Sequence, residues 1–426
     1  MPALSKSTNP GFVTTATPPR DRIDSIDALR GIALFGVLAV NLVMEFRVSI
    51  FQQFIAGSTP ATGVNGFVED FVSFALESKA FCVFSFLFGV GLAMQLERLS
   101  RRPAPYLLLT RRLVALLGFG LIHLIFIWNG DILTEYALAG LLILPFLRLP
   151  NWALAVAAAG FFTLYALMPS LPPLVAWPDT SAFASDVATA DRVYSAGFYL
   201  EGWRFSVHEL PLLVPLHVFV FPRTVALFLF GAFVWRMGVL RQPSSHSRLF
   251  SVVAAAGLGV GMALTYGATA GAFNSWGTLG MVLQALAPVV LAVGYGSVVI
   301  YLAQLHGAHN VLRPFAAVGR MAFTNYIAQS LIFGFVFFGY GLGLFGKMNA
   351  APALLFGVIV YLLQAVLSAA WLRRFRFGPL EWFWRSLMYG RAQPMLMAVY
   401  ARSAAEAYFR AGQPFERPLC ASNLLR

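Results

Sequence analysis

Long apolar runs alternate with short polar breaks along most of the chain, and ten of these runs are long enough to cross a hydrocarbon layer. They lie at 31–46, 80–96, 107–128, 131–147, 152–170, 211–238, 249–270, 277–303, 321–340 and 351–372. Inside hydrocarbon every backbone N–H and C=O has to be paired within its own segment, so runs of this length predict helices. The expected architecture is an all-α, polytopic membrane helix bundle of about ten transmembrane helices. It divides into a flexible cytoplasmic tail over 1–27, the bundle over 28–372 and a basic, aromatic C-terminal segment over 373–426. The run at 31–46 follows a basic stretch and no small-x-small cleavage site comes after it, so it reads as an uncleaved signal-anchor helix. The one long external segment, 171–210, opens with Pro172, Pro173 and Pro178. Its partly amphipathic stretch over 183–207 predicts a helix lying on the outer surface.

Composition excludes the alternatives. Of 426 residues 59% are apolar and only 11% are charged, with a mean hydropathy of +0.73, which rules out soluble and disordered classes. A net charge of +12 would suit a nucleic-acid binder until the positions are examined. In the ten-span arrangement only Arg47, Lys79, Arg192, Arg204, Arg223 and Lys347 of the 30 basic residues fall outside. That is the positive-inside pattern, with both termini cytoplasmic, and nucleic acid is not needed to explain the charge. The stretch Arg373-Arg374-Phe375-Arg376-Phe377, followed by Trp382 and Trp384, suits contact with anionic headgroups of the bilayer. Two cysteines and six scattered histidines give no metal-ligand spacing.

Scarce charge makes each ionisable group within a span a site candidate. The densest stretch runs from His123 through Gly130 to Asp131 and Glu135. Gly130 breaks the helix there. A His facing Asp131 and Glu135 across a tight helical hairpin is a general acid–base arrangement, although an Asp after Gly is also an ordinary helix cap. Glu77 and Lys79 stand at the outer entry of the second run. Arg30, Arg112 and Arg320 each sit at a cytoplasmic helix entrance, as topology anchors or as holders of phosphate. Thr324, Asn325, Tyr326, Gln329 and Ser330 crowd one turn and a half of the ninth run, with Asn325 and Gln329 on one face. His217 reads as a satisfied core group. Two glycine-rich stretches, 257–261 and 339–343, allow close helix approach.

Three segments resemble the YeiB-like family of bacterial membrane proteins, a group named for a domain of unknown function. They are Ile26-Asp27-Ala28-Leu29-Arg30-Gly31-Ile32-Ala33 with Asn41, then His123 through Asp131-Ile132-Leu133 to Tyr136, and finally Gly319-Arg320-Met321-Ala322-Phe323-Thr324-Asn325-Tyr326 with Phe377-Gly378-Pro379-Leu380-Glu381-Trp382 to Arg385. The opening Asp-x-x-Arg-Gly helix is in turn similar to that of membrane acyltransferases, including the heparan-glucosaminide acetyltransferase type. That resemblance implies a bacterial cell (inner) membrane protein moving an acyl group from cytoplasmic acyl-CoA, a co-substrate and not a resident cofactor, to an extracytoplasmic acceptor. In one branch a catalytic His stands eleven residues after the opening Arg; here Asn41 holds that place, and His123 would substitute.

The expected acyltransferase site therefore has His123, Asp131 and Glu135 as its acid–base groups and Arg30, Arg112 and Arg320 on the donor phosphates. Glu77, Lys79, Asn41, Asn325 and Tyr326 are the candidate substrate-binding residues. The rival expectation is a transporter or flippase in which Glu77, Lys79, Asp131, Glu135 and Asn325 line a path.

Overall fold

The computed structural model describes residues 24–55, 61–305 and 307–397. Most of the expected N-terminal tail, His306, and the chain beyond 397 with Cys420 lie outside the described residues. Fourteen α-helices follow in order: α1 Asp24–Asn41, α2 Gly63–Phe71, α3 Lys79–Leu99, α4 Pro105–Phe126, α5 Leu133–Ile143, α6 Asn151–Leu167 and α7 Thr180–Ala196. Then come α8 Tyr199–Arg236, α9 Ser247–Thr269, α10 Gly277–Leu302, α11 Ala308–Arg320, α12 Ala322–Phe337, α13 Ala350–Arg374 and α14 Pro379–Tyr389. No strand forms among the described residues.

Each of the ten apolar runs is helical. Eight belong to helices long and apolar enough to cross a membrane, and the other two are the shorter α5 and α12. At 1.5 Å per residue the 11 residues of α5 rise only about 16 Å, roughly half a hydrocarbon layer. The lipid face is plain on α13, where Leu362, Leu363, Val366 and Leu367 are all more than half exposed. Such a ridge suits hydrocarbon and not water.

Three close crossings frame the bundle, each with glycine on both sides. Gly31 of α1 lies against the backbone of α11 at Phe315, and Gly319 of α11 against α1 at Asp27. Gly89 of α3 meets Phe228 of α8, and Gly231 of α8 meets Phe86 and Val90 of α3. Gly257 of α9 faces Gly294 of α10, as the glycine-rich stretch 257–261 predicts. In lipid, apolar burial gives helices little reason to associate, so contacts this close supply the packing that holds them. The second glycine stretch differs: 339–343 lies in the loop after α12, where the Gly339 N–H donates to the Tyr194 carbonyl.

The external segment is more helical than expected. α7 is a helix with Phe183, Val187, Ala190 and Tyr194 buried, so it packs on the bundle and does not merely lie on its surface. α8 begins at Tyr199, ahead of the apolar run at 211, because the helix continues back through the polar turns that carry Glu201, Arg204, His208 and Glu209, and it keeps Pro211, Pro215 and Pro222 within its 38 residues. Its length of about 57 Å carries it well beyond the membrane. At the other end, α14 packs on α4. The Trp384 indole donates to the Arg112 carbonyl at 2.7 Å, and Arg112 stacks over that ring at 4.3 Å. The Arg-aromatic segment thereby folds back as a wall of the bundle's arginine-rich end.

Gly231→Val drives two methyls into the α3 backbone and is expected to destabilise the fold by about 1–3 kcal/mol. Gly118→Ala, facing open space, is the matched control. Melting of the detergent-purified variants reads both, and equal midpoints would contradict the crossing.

Candidate functional site

The site is built on the α4–α5 hairpin. α4 closes on the His123 carbonyl, which accepts the N–H groups of Ile127 and Trp128 at 2.9 and 2.8 Å. Trp128 is buried and stacks on Phe46 with ring centroids 4.2 Å apart, fixing the turn against the end of the α1 segment. One turn before His123, Gly120 leaves space for the backbone of Leu133 and Thr134, so the start of α5 lies against α4. Asp131 then caps α5, with Oδ1 accepting from Leu133 N at 3.1 Å and Oδ2 from Thr134 N at 2.7 Å. The same Oδ1 lies 2.9 Å from His123 Nδ1. The expected pair and the expected cap are thus one residue doing both.

Because both Asp131 oxygens accept from backbone donors, Nδ1 donates to Oδ1, which in the neutral imidazole leaves Nε2 of His123 as the acceptor. Nε2 faces Ser330 Oγ of α12 at 2.9 Å. His123 is fully buried, with Asp131 and Ser330 each 2% exposed. Tyr326 lies one turn before Ser330, its ring 5.2 Å from the imidazole, and its hydroxyl makes no hydrogen bond of ordinary geometry among the described residues.

Two cavities reach this turn from opposite ends. The first, of about 350 Å³, opens at the arginine-rich end, the cytoplasmic one by the positive-inside rule. Arg30, Arg98, Arg102, Arg112, Arg320, Arg376 and Arg385 line it, against only Asp27 and Glu381 among the acids. Arg30 donates to Asp27 at 2.8 Å, and Glu381 is turned inward to cap α12, accepting from Phe323 N at 2.8 Å and Thr324 N at 3.0 Å. Burial pushes the Glu381 carboxyl above its ordinary range, opposed by the Thr324 and Phe323 hydrogen bonds. The inner end of this cavity is lined by Ile132, Leu133, Tyr136 and Tyr326. The second cavity, of about 1040 Å³, is mostly apolar, walled by α8 and by the external stretch at 171–177. Its polar groups include Asp131, Thr134, Glu135 and His217. The single turn 131–136 is therefore the partition: Ile132, Leu133 and Tyr136 line one cavity, Asp131, Thr134 and Glu135 the other.

A family model described as a protein of unknown function, DUF418, matches residues 234–391. The Bacillus subtilis (strain 168) protein YxaH is 33% identical over 403 residues, a match spanning 89% of this chain and 97% of that protein. Escherichia coli (strain K12) YeiB is 28% identical over 402 residues, spanning 88% and 98%. Both are described as uncharacterized proteins. The chain belongs to the YeiB-like, DUF418 family.

In this YeiB-like protein the sequence candidates separate into three groups. Arg30, Arg112, Arg320 and Tyr326 converge on the first cavity. His123 and Asp131 join at the partition. Glu135 does not face His123, because α5 turns its side chain toward α8; its Oε2 lies 3.1 Å from His217 Nδ1 and its Oε1 accepts from Thr224 at 2.5 Å. His217, read as a core group, lines the outer cavity with a side chain 37% exposed. The remaining candidates line neither cavity. Asn41 is buried at the end of α1. Asn325 donates to Ser368 of α13 at 3.0 Å, and Gln329 to Gln364 at 2.8 Å, so this face fastens α12 to α13. The Lys79 ammonium donates to the Ser73 carbonyl at 3.2 Å, while Glu77 accepts from the Ser73 hydroxyl at 2.7 Å.

Outside the partition, Glu209 accepts from Asn129 at 2.8 Å and from the Tyr194 hydroxyl, which ties α7 to α8. Beside it, burial raises the Asp186 carboxyl above its ordinary range, opposed by Glu209 and His208. An acid whose folded pKa is raised holds its proton more tightly when folded, so its share of stability grows as pH falls through that pKa and is least above it. Asp186→Asn is expected to raise the melting midpoint at alkaline pH and leave it unchanged at acidic pH. A midpoint lowered at alkaline pH would contradict this.

Proposed function

We propose that the chain is a multi-pass acyltransferase of the bacterial cell (inner) membrane, which takes an acyl group from acyl-CoA on the cytoplasmic side and delivers it to an extracytoplasmic acceptor. The partition turn carries this reading, since a basic chamber and an apolar chamber border the turn 131–136 from opposite sides, and the Asp131 of that turn holds the buried His123. Seven arginines against two carboxylates suit the diphosphate and phosphate of CoA, which they hold by charge-assisted hydrogen bonds. Eleven residues separate Arg112 from His123 along α4, a rise of about 16 Å that an extended pantetheine arm is suited to span. Acyl-CoA would come and go as a co-substrate.

In the reaction, the acyl carbonyl carbon leaves the CoA sulfur and becomes bonded to the acceptor hydroxyl oxygen or amine nitrogen. A proton passes from the acceptor to the imidazole of His123, held in orientation by Asp131, and one passes from that imidazole to the departing CoA sulfur as the C–S bond breaks. His123→Gln is expected to lower transfer of labelled acetyl from acetyl-CoA to acceptors of inverted membrane vesicles by about 100-fold or more. CoA is expected to raise the melting midpoint of the purified wild type and of His123→Gln, and to raise that of the double variant Arg30→Ala, Arg320→Ala less. Transfer unchanged in His123→Gln removes His123 from the mechanism. Opposed cavities also suit a transporter; substrate uptake into proteoliposomes, with no shift on adding CoA, would favour it.

A further inference from the structure

We propose that Ser330 is the nucleophile of this site and carries the acyl group as a serine ester beside the partition turn, where its hydroxyl meets His123. The inference rests on the acyl-transfer reading and adds an intermediate to it. The sequence candidates supplied only two members of the arrangement; the structure brings a third from a separate helix. Ser330, His123 and Asp131 stand in line, Oγ to Nε2 at 2.9 Å and Nδ1 to Oδ1 at 2.9 Å. That is the order of nucleophile, base and orienting carboxylate that activates a hydroxyl in serine hydrolases on unrelated folds.

A helical serine with a purely local role gives its proton to the carbonyl four residues back. Ser330 has that option in Tyr326 O, but at 3.3 Å the bond is longer than the one to His123. With Nδ1 engaged as a donor to Asp131, Nε2 accepts, and the single hydroxyl proton of Ser330 has its shorter path to the imidazole. A direct attack by the acceptor would first require His123 to release this serine. Attack by Ser330 requires no such exchange.

Tyr326, one turn before Ser330 and with its ring 5.2 Å from the imidazole, supplies a candidate donor. The hydroxyls of Tyr326, at the inner cavity, and Thr134, at the outer one, are buried and unpartnered among the described residues. A buried hydroxyl without a partner is costly in the resting protein and available to a developing oxyanion.

In the first half-reaction Ser330 Oγ bonds to the thioester carbonyl carbon and the C–S bond breaks. The serine proton passes to His123 Nε2 and then to the leaving CoA sulfur, giving CoA–SH. In the second, the acceptor hydroxyl or amine bonds to the ester carbon while its proton goes to His123. The Oγ–C bond breaks and the proton returns to Ser330. The CoA phosphates never leave the arginine-lined end; only the neutral acyl group passes the partition.

A fluorophore-tagged fluorophosphonate tests the nucleophile without knowledge of donor or acceptor. Its P–F bond is displaced by an activated serine, fluoride leaving. Treating the full-length protein in native membranes, we expect one labelled peptide containing Ser330. Labelling should vanish in Ser330→Ala and fall about 100-fold in His123→Gln. Ser330→Cys, which preserves the helix and its packing, should instead yield an acetyl thioester from acetyl-CoA that neutral hydroxylamine cleaves. Absence of label at Ser330 in the folded wild type overturns the proposal, and so does labelling that His123→Gln leaves unchanged. If Ser330→Ala retains full acetyl transfer where His123→Gln loses it, the serine is excluded while the acyltransferase reading stands. If the wild type transfers no acyl group from acyl-CoA, that reading fails instead.

Discussion

The structure depends on the carboxylate of Asp131. It closes the hairpin between α4 and α5, satisfies the first amides of a helix that begins inside the bundle, and fixes the imidazole of His123. A helix starting within a membrane exposes amides that no water can satisfy, so its first turn needs an anion or a polar cap. By using one side chain for the cap and for His123, the fold makes the start of α5 and the buried His–Asp pair the same place. Removing Asp131 would take both away together, leaving α5 uncapped and His123 free to turn.

Around that centre the polar groups are sorted by helix face. On α12, Asn325 and Gln329 fasten the helix to α13, while Tyr326 and Ser330, one residue further round, meet His123. On α5, Glu135 leaves the centre and pairs with His217 and Thr224 of α8. The hydroxyls of Tyr326 and Thr134, which belong to residues bordering the two chambers, are among the few buried side-chain atoms with no hydrogen-bond partner among the described residues. The arginines of the first chamber gather at its far end, where Arg112, Trp384 and Arg385 share a wall that α14 completes.

Much of this was legible in the chain. The ten apolar runs identify the helices, since the need to pair backbone groups in lipid leaves no other regular form. His123 and Asp131 sit eight residues apart around a glycine, so local chain geometry nearly forces them together. Arg30, Arg112 and Arg320 mark one face because positive charge stays on that side. Ser330 was visible as a polar residue in an apolar run, but its partner lies 207 positions away and nothing local points to it. Arg376 was legible as a headgroup contact but not as a lining residue of the first chamber, because arginine beside aromatic residues looks the same in either setting. The start of α8 lies before the apolar run because its first turns carry Glu201, Arg204, His208 and Glu209, which keep 199–210 from reading as part of a membrane span although the helix runs through them.

The shortness of α5 has an electrical consequence. A membrane potential falls mainly where the barrier between polarisable spaces is thinnest, and here two chambers close to a single turn of chain. The energy of one elementary charge across the full potential is about 2.3 kcal/mol per 100 mV. Concentrated over a few ångströms, that field acts on the very atoms that exchange protons between His123 and its partners. Proton movement at this turn would therefore respond to the energised state of the membrane, which a site at either surface would scarcely feel.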